Sequence, residues 1–247
     1  MLTVDKNPWI GLLSYGIKDA NSFFGRDNEI ETLCASIKQN YSNVIYGKSG
    51  MGKTSLINAG LIPKLSNEGF FPVSIRLSHN SKRSYAEQIV SEIKTRLEAN
   101  NCEIEPIMAS NINVSDDALL WFFFHTNNFW TKDNNSVIPV VFIDQFEEIF
   151  TLSSDKTKVV DFFRLLNELF QSLPSDKILD QIESNGIRID FNETANFRLV
   201  LSMREDFLPR LEDYCRDIPS LRKNRMVLAP IFNTLQMSTK VGSAGIS

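Results

Sequence analysis

Five stretches of the chain are apolar, short and almost free of polar interruption: residues 43–47 (NVIYG), 70–77 (FFPVSIRL), 137–144 (VIPVVFID), 197–203 (FRLVLSM) and 225–231 (RMVLAPI). Runs of this length and composition predict buried strands, and 137–144 and 197–203 carry the two-sided apolar pattern of a parallel sheet. Between them the period becomes helical. Leu56, Ile57, Gly60, Leu61 and Leu65 fall at helical spacing in residues 53–65, and Ile89, Ile93 and Leu97 make one stripe behind Ser84, a candidate cap. Residues 158–173 (KVVDFFRLLNELFQSL) predict another helix, and residues 204–214 (REDFLPRLEDY) a short one with mixed charge. Residues 116–130 predict a helix buried nearly all round. Its aromatics, Trp121, Phe122, Phe123, Phe124 and Phe129, have no basic residues among them, so they read as core rather than a base-stacking platform. Strands alternating with helices predict an α/β fold, a doubly wound and mostly parallel sheet with helices on both faces.

The first strand runs into YGKSGMGKTS, which fits G-x-x-x-x-G-K-[ST] with Gly47, Gly52, Lys53 and Thr54. A glycine cluster can be a plain turn, but one set between a buried strand and a helix has the context of a phosphate-binding loop. Glycine lets successive amides point inward at an anion, and the following helix adds the positive end of its dipole. The candidate nucleotide contacts are therefore Gly47, Lys48, Ser49, Gly50 and Met51, followed by Gly52, Lys53, Thr54 and Ser55. Lys53 is expected to reach the β- and γ-phosphates, and Thr54 to hold Mg²⁺ through its hydroxyl.

Asp144 closes the third strand, at the sheet edge where open α/β folds bind ligands. An acidic residue there is often a helix cap; coupled to the glycine loop it becomes the expected Mg²⁺ carboxylate. Glu147 and Glu148 follow at once, two candidates for the general base that polarises a water, with Glu147 favoured. Arg204 follows the fourth strand at the same edge, where a cation would stabilise phosphoryl charge; the alternatives are an ion pair with Glu205 or Asp206, or a solvated helix start. Upstream, FFGRDNEIETL reads on spacing alone as a turn and an amphipathic helix capped by Asp27.

Composition narrows the class. The 247 residues are 43% hydrophobic and 23% charged with a formal net charge of -4, which argues against a general grip on nucleic acid and makes phosphate binding local. Cys34, Cys102 and Cys215 are odd in number and far apart, so reduced thiols in a cytoplasmic protein are expected, with neither a disulfide framework nor a zinc site. His79 and His125 have no partners at ligand spacing. No signal peptide is read at the start, and the longest apolar runs fall far short of a membrane span. A GTPase would show Asn/Thr-Lys-x-Asp after a later strand, and TKDN at Thr131 misses that spacing. It would also carry a glycine where Glu147 stands. A glutamate close behind the metal aspartate disfavours a small-molecule kinase, leaving an NTPase for which ATP is the expected nucleotide.

In their order, NPWIGLLSYGIKDANSFFGRDNEI, GKSGMGKTSLINAGLIPKL, VVFIDQFEEIFTL and LVLSMREDFLPRLEDY resemble the novel STAND NTPases, signal-transduction ATPases with numerous domains. The resemblance runs from about Asn7 to Ile231. It implies a P-loop NTPase of the additional-strand type with sheet order 5-1-4-3-2. It also implies that Phe24, Gly25 and Arg26 approach the base and sugar of the nucleotide. Slow hydrolysis of ATP to ADP would switch a signalling hub in defence or regulation, with effector or sensor partners and nucleotide-dependent self-association. On this reading residues 1–235 form the NTPase domain, with a lead-in segment at 1–40 and the α/β core at 41–235, and residues 236–247 are a disordered tail. A non-catalytic nucleotide-binding module, or a fragment of a larger STAND protein, is the alternative.

Overall fold

The computed structural model describes residues 14–106, 114–116, 118–153, 155–171, 173–187, 197–216 and 218–230. Seven strands appear among them: β1 (Ser42–Gly47), β2 (Phe70–Ile75), β3 (Glu103–Pro106), β4 (Asn127–Trp130), β5 (Ile138–Ile143), β6 (Arg198–Arg204) and β7 (Arg225–Val227). Five of them form one sheet in the order β2-β5-β6-β1-β7, with every pair parallel. Numbered within that sheet alone, and read from the β7 edge, this is the 5-1-4-3-2 order.

The alternation of side chains along these strands builds two cores. Val141 and Ile143 of β5 and Leu199 and Leu201 of β6 face one layer, with the helices Tyr85–Ala99, Leu119–His125 and Lys156–Phe170. Val140, Phe142 and Val200 face the other, with Ile45 of β1, the helix Asp27–Gln39 and the helical run after the glycine loop. Two-sided burial of this kind is why the strands read as unbroken apolar runs. Ser84 caps its helix through a reciprocal pair, its hydroxyl accepting from the Glu87 N–H while the Glu87 carboxylate accepts from the Ser84 N–H.

Four expectations need correction. The helix expected over 116–130 begins at Leu119 and stops at His125, and Asn127–Trp130 becomes β4, paired antiparallel with β3 in a separate two-stranded sheet. The stop has a local cause: the Thr126 N–H still closes the last helical bond to the Phe122 carbonyl, but the Asn127 side-chain amide donates to the Phe123 carbonyl, the acceptor that a further turn would offer to the Asn127 N–H. Asp27 sits in the first turn of its helix without a capping bond, and Arg26 occupies the cap position. The run after Lys53 is helical through Ser66, but Leu56–Leu61 adopts the wider π-helical turn. The strand expected over 225–231 ends at Val227, with 228–230 outside it, and the expected tail at 236–247 lies outside the described residues. Among the described residues no helix is long and apolar enough to cross a membrane.

Candidate nucleotide site

β1 ends at Gly47, level with Arg204 at the end of β6. The chain then turns through Gly50 (φ +78°) and Gly52 (φ +83°), left-handed conformations that a side chain would strain. A Cβ on either would meet nothing within 4 Å, so it is the backbone and not the space that calls for glycine. Gly47 is there for another reason: its Cβ would lie 2.6 Å from the Leu228 carbonyl oxygen just beyond β7. Lys48, Ser49 and Gly50 are exposed and Met51 half-buried. The Lys53 ammonium donates to the carbonyls of Gly47 (2.8 Å) and Lys48 (3.0 Å), folded over the loop it follows.

Thr54, one residue into the helix, donates its hydroxyl to Asp144 Oδ2 at 2.7 Å. Asp144 Oδ1 accepts from the hydroxyl of Ser202 at 2.9 Å. The carboxylate is thus held from both sides, by the phosphate-loop helix and by β6. Ser202 is fully buried and was not singled out from sequence, although a lone hydroxyl inside an otherwise apolar strand, two residues before Arg204, is the signal that marks it. Mg²⁺ usually takes one or two carboxylates and fills its remaining positions with water and substrate phosphate. A hydroxyl and a carboxylate converging beside a left-handed glycine loop fit that demand. Among the described residues no group of three or more His, Cys, Asp or Glu offers a protein-only cage.

Beyond Asp144 the chain bends sharply, with Gln145 at φ +53° and the Phe146 N–H returning to the Ser202 carbonyl at 2.8 Å. This bend sends the two glutamates to different places. Glu147 accepts from the Arg204 N–H at 3.3 Å and shares the cleft with Lys53. Burial pushes its carboxyl pKa up, opposed by backbone N–H groups and by Lys53, while burial lowers that of Lys53 against Glu147 and Asp144. Glu148 instead accepts from the Arg76 guanidinium through both of its oxygens.

Arg204 reaches the expected edge, but its guanidinium is paired with Asp206 (Nε–Oδ1 3.1 Å, Nη2–Oδ2 2.6 Å) and lies over the Phe207 ring. The ion pair weighed from sequence is therefore the state seen here. Arg26 is 5% exposed, donating to the Met51 carbonyl at 3.1 Å and pairing with Glu29 at 2.6 Å. It touches the loop itself, while Gly25 turns at φ +84° and Phe24 stands 71% exposed. The Ser55 hydroxyl belongs to a buried residue and accepts from the Tyr15 N–H at 3.0 Å.

A glycine loop opening a helix on a parallel sheet, faced by a hydroxyl-held aspartate at the carboxyl edge, defines a P-loop NTPase. The fold is shared with the Walker-type ATPase PABY2304 of Pyrococcus abyssi, at TM-score 0.51 and 13% identity over 96% of this chain and 63% of that one. The ORC2 protein of Aeropyrum pernix, solved as ADPNP–ADP complexes, is similar at TM-score 0.41 and 16% identity over 82% of this chain and 46% of that one. The chain spans less than two thirds of the length of either. The profile of the Novel STAND NTPase 1 family matches residues 8–241, and the chain belongs to that family. No curated protein matches it.

Proposed function

We propose that the chain binds ATP and hydrolyses it slowly, as the nucleotide-operated switch of a STAND-type signalling protein. The observation that carries this is Asp144 gripped at once by Thr54 of the loop helix and Ser202 of β6, which joins the phosphate cradle to the edge that bears Glu147 and Arg204. Lys53 exchanges the carbonyls of Gly47 and Lys48 for phosphate oxygens, and the amides of residues 48–54 turn to the same anion. Thr54 and Asp144 would hold Mg²⁺, which would supply charge neutralisation for the phosphates. Glu147 accepts the proton of the attacking water. It is half-buried and has no ion-pair partner among the described residues, and burial raises its basicity. Arg204 stabilises charge on the transferred phosphoryl group once it leaves Asp206.

Phe24 offers an exposed aromatic face two residues before Arg26, which bonds to the loop at the Met51 carbonyl. Family membership supports the signalling role, effector or sensor partners and nucleotide-dependent self-association. The buried thiols of Cys34 and Cys215, whose pKa values burial pushes up to about 11 and about 12, suit a reducing cytoplasm.

Single-turnover assays test the reading. With Mg²⁺ and ATP the protein forms ADP slowly, and Glu147→Gln slows that step by about 100-fold or more while ATP stays bound. Bound ATP that is never converted by the unaltered protein would mark a nucleotide-binding module without catalysis.

A further inference from the structure

Two adjacent glutamates follow Asp144, and the surroundings of Glu148 are as specific as those of Glu147. Ile75 of β2 pairs with Ile143 of β5, and the Asp144 N–H donates to the Ile75 carbonyl at 2.9 Å. Arg76, the next residue, therefore stands level with Asp144 at the carboxyl edge, on the side opposite Ser202. Its side chain is 58% exposed, yet it is not free. Nε donates to Glu148 Oε2 at 2.8 Å, and Nη2 donates to Oε1. A two-pronged guanidinium on one carboxylate fixes that group's orientation as well as its charge.

Behind Glu148 lies His79, 6% exposed, with Nε2 3.9 Å from Glu148 Oε2 and no hydrogen-bond partner for Nε2 among the described residues. Its other nitrogen, Nδ1, lies 2.9 Å from the Tyr85 hydroxyl, which fixes the ring with Nε2 turned towards the carboxylate. Burial lowers the His79 pKa, with Glu148 opposing and Arg76 reinforcing the shift. A cation in front and an imidazole behind hold Glu148 in one place.

We propose that Arg76 is a positioning residue for hydrolysis: by clamping Glu148 against His79 it withholds that carboxylate from the phosphate cleft and leaves Glu147 as the only base. The chemistry follows from geometry. Both Glu148 oxygens are taken by the Arg76 guanidinium and neither is left to meet a water in the cleft, whereas Glu147 has no such partner among the described residues. The sequence supplies two adjacent glutamates, and Arg76 just after β2 ties up one of them. This rests on the hydrolytic reading above and adds to it the residue that selects between the two.

The test is a set of variants in the full chain under saturating Mg²⁺ and ATP. Glu147→Gln lowers kcat by about 100-fold or more. Adding Arg76→Ala releases Glu148 and restores about tenfold of that loss, with KM for ATP changed less than about threefold. Adding Glu148→Gln as a third change removes the recovery. Arg76→Gln, which keeps the length of the side chain without its charge, gives the same recovery and guards against a folding defect in the alanine variant. A Glu147→Gln protein that stays inactive with Arg76→Ala and with Arg76→Gln overturns the inference and leaves the hydrolytic reading intact. Recovery that survives Glu148→Gln also overturns it, since the rescue would then not pass through Glu148. Full activity in Glu147→Gln alone, or no turnover in the unaltered protein, overturns the base assignment and the inference with it.

Discussion

Glu147 and Glu148 have the same side chain and adjacent positions, and the backbone bend at Gln145 gives them different chemistry. Glu147 lies in the cleft with Lys53, and Glu148 lies under Arg76. The pH dependence expected of Glu147 has a definite sign. Its folded-state pKa is raised above the ordinary 4.5, with burial as the leading cause. The stability it contributes is therefore fully present below about pH 4.5 and is lost as pH rises through the higher folded value. Glu147→Gln removes that loss, so the variant resists urea better than the unaltered protein near neutral pH, and the advantage shrinks towards pH 4.5. Urea midpoints across that range check it, and an advantage that grew on acidification would mean that Glu147 is stabilised as the anion. The proposed hydrolysis is expected to move the opposite way, rising with pH through the same group, because only the carboxylate accepts a proton.

At the scale of elements, the glycine loop is shaped by neighbours far off in sequence. Gly47 belongs to the phosphate motif, yet the clash that excludes a larger residue there is with the Leu228 carbonyl beyond β7. Gly47→Ala must push the segment after β7 away from β1 or displace the loop. The expected cost is about 1–3 kcal/mol of folding stability. It would be read as a lower denaturant midpoint and faster hydrogen exchange at Leu228, whose N–H donates to the Tyr46 carbonyl at 2.7 Å. Unchanged exchange there would show that the loop moves instead. Motif spacing identified the glycine but not its neighbour, because contact across parallel strands leaves no mark on local sequence. The β3–β4 pair was hidden for a similar reason. The aromatic density reads as one helix over 116–130, and the break depends on the Asn127 amide taking the Phe123 carbonyl and on pairing with β3, distant in sequence.

For the whole molecule, the apolar runs made the sheet legible. Residues buried on both faces write long unbroken hydrophobic strings, and the five predicted strands are the five of the main sheet. Asp144 could be placed at the carboxyl edge by the same logic, since it terminates one of those strings. Its bond to Ser202 could not be read, because the two residues are 58 apart and only the alignment of β5 with β6 brings them to 2.9 Å. Arg204 was placed at the right edge, but its pairing with Asp206 was one of several local options that sequence left open. The account comes down to a loop whose Lys53 trades its own carbonyls for the phosphates of ATP. Equilibrium binding of Mg²⁺ and ATP to the unaltered protein and to Lys53→Ala, followed by a turnover assay on both, tests that claim most directly. The account predicts binding in the first and loss of binding and turnover in the second; Lys53→Ala that hydrolyses ATP at the unaltered rate would contradict it.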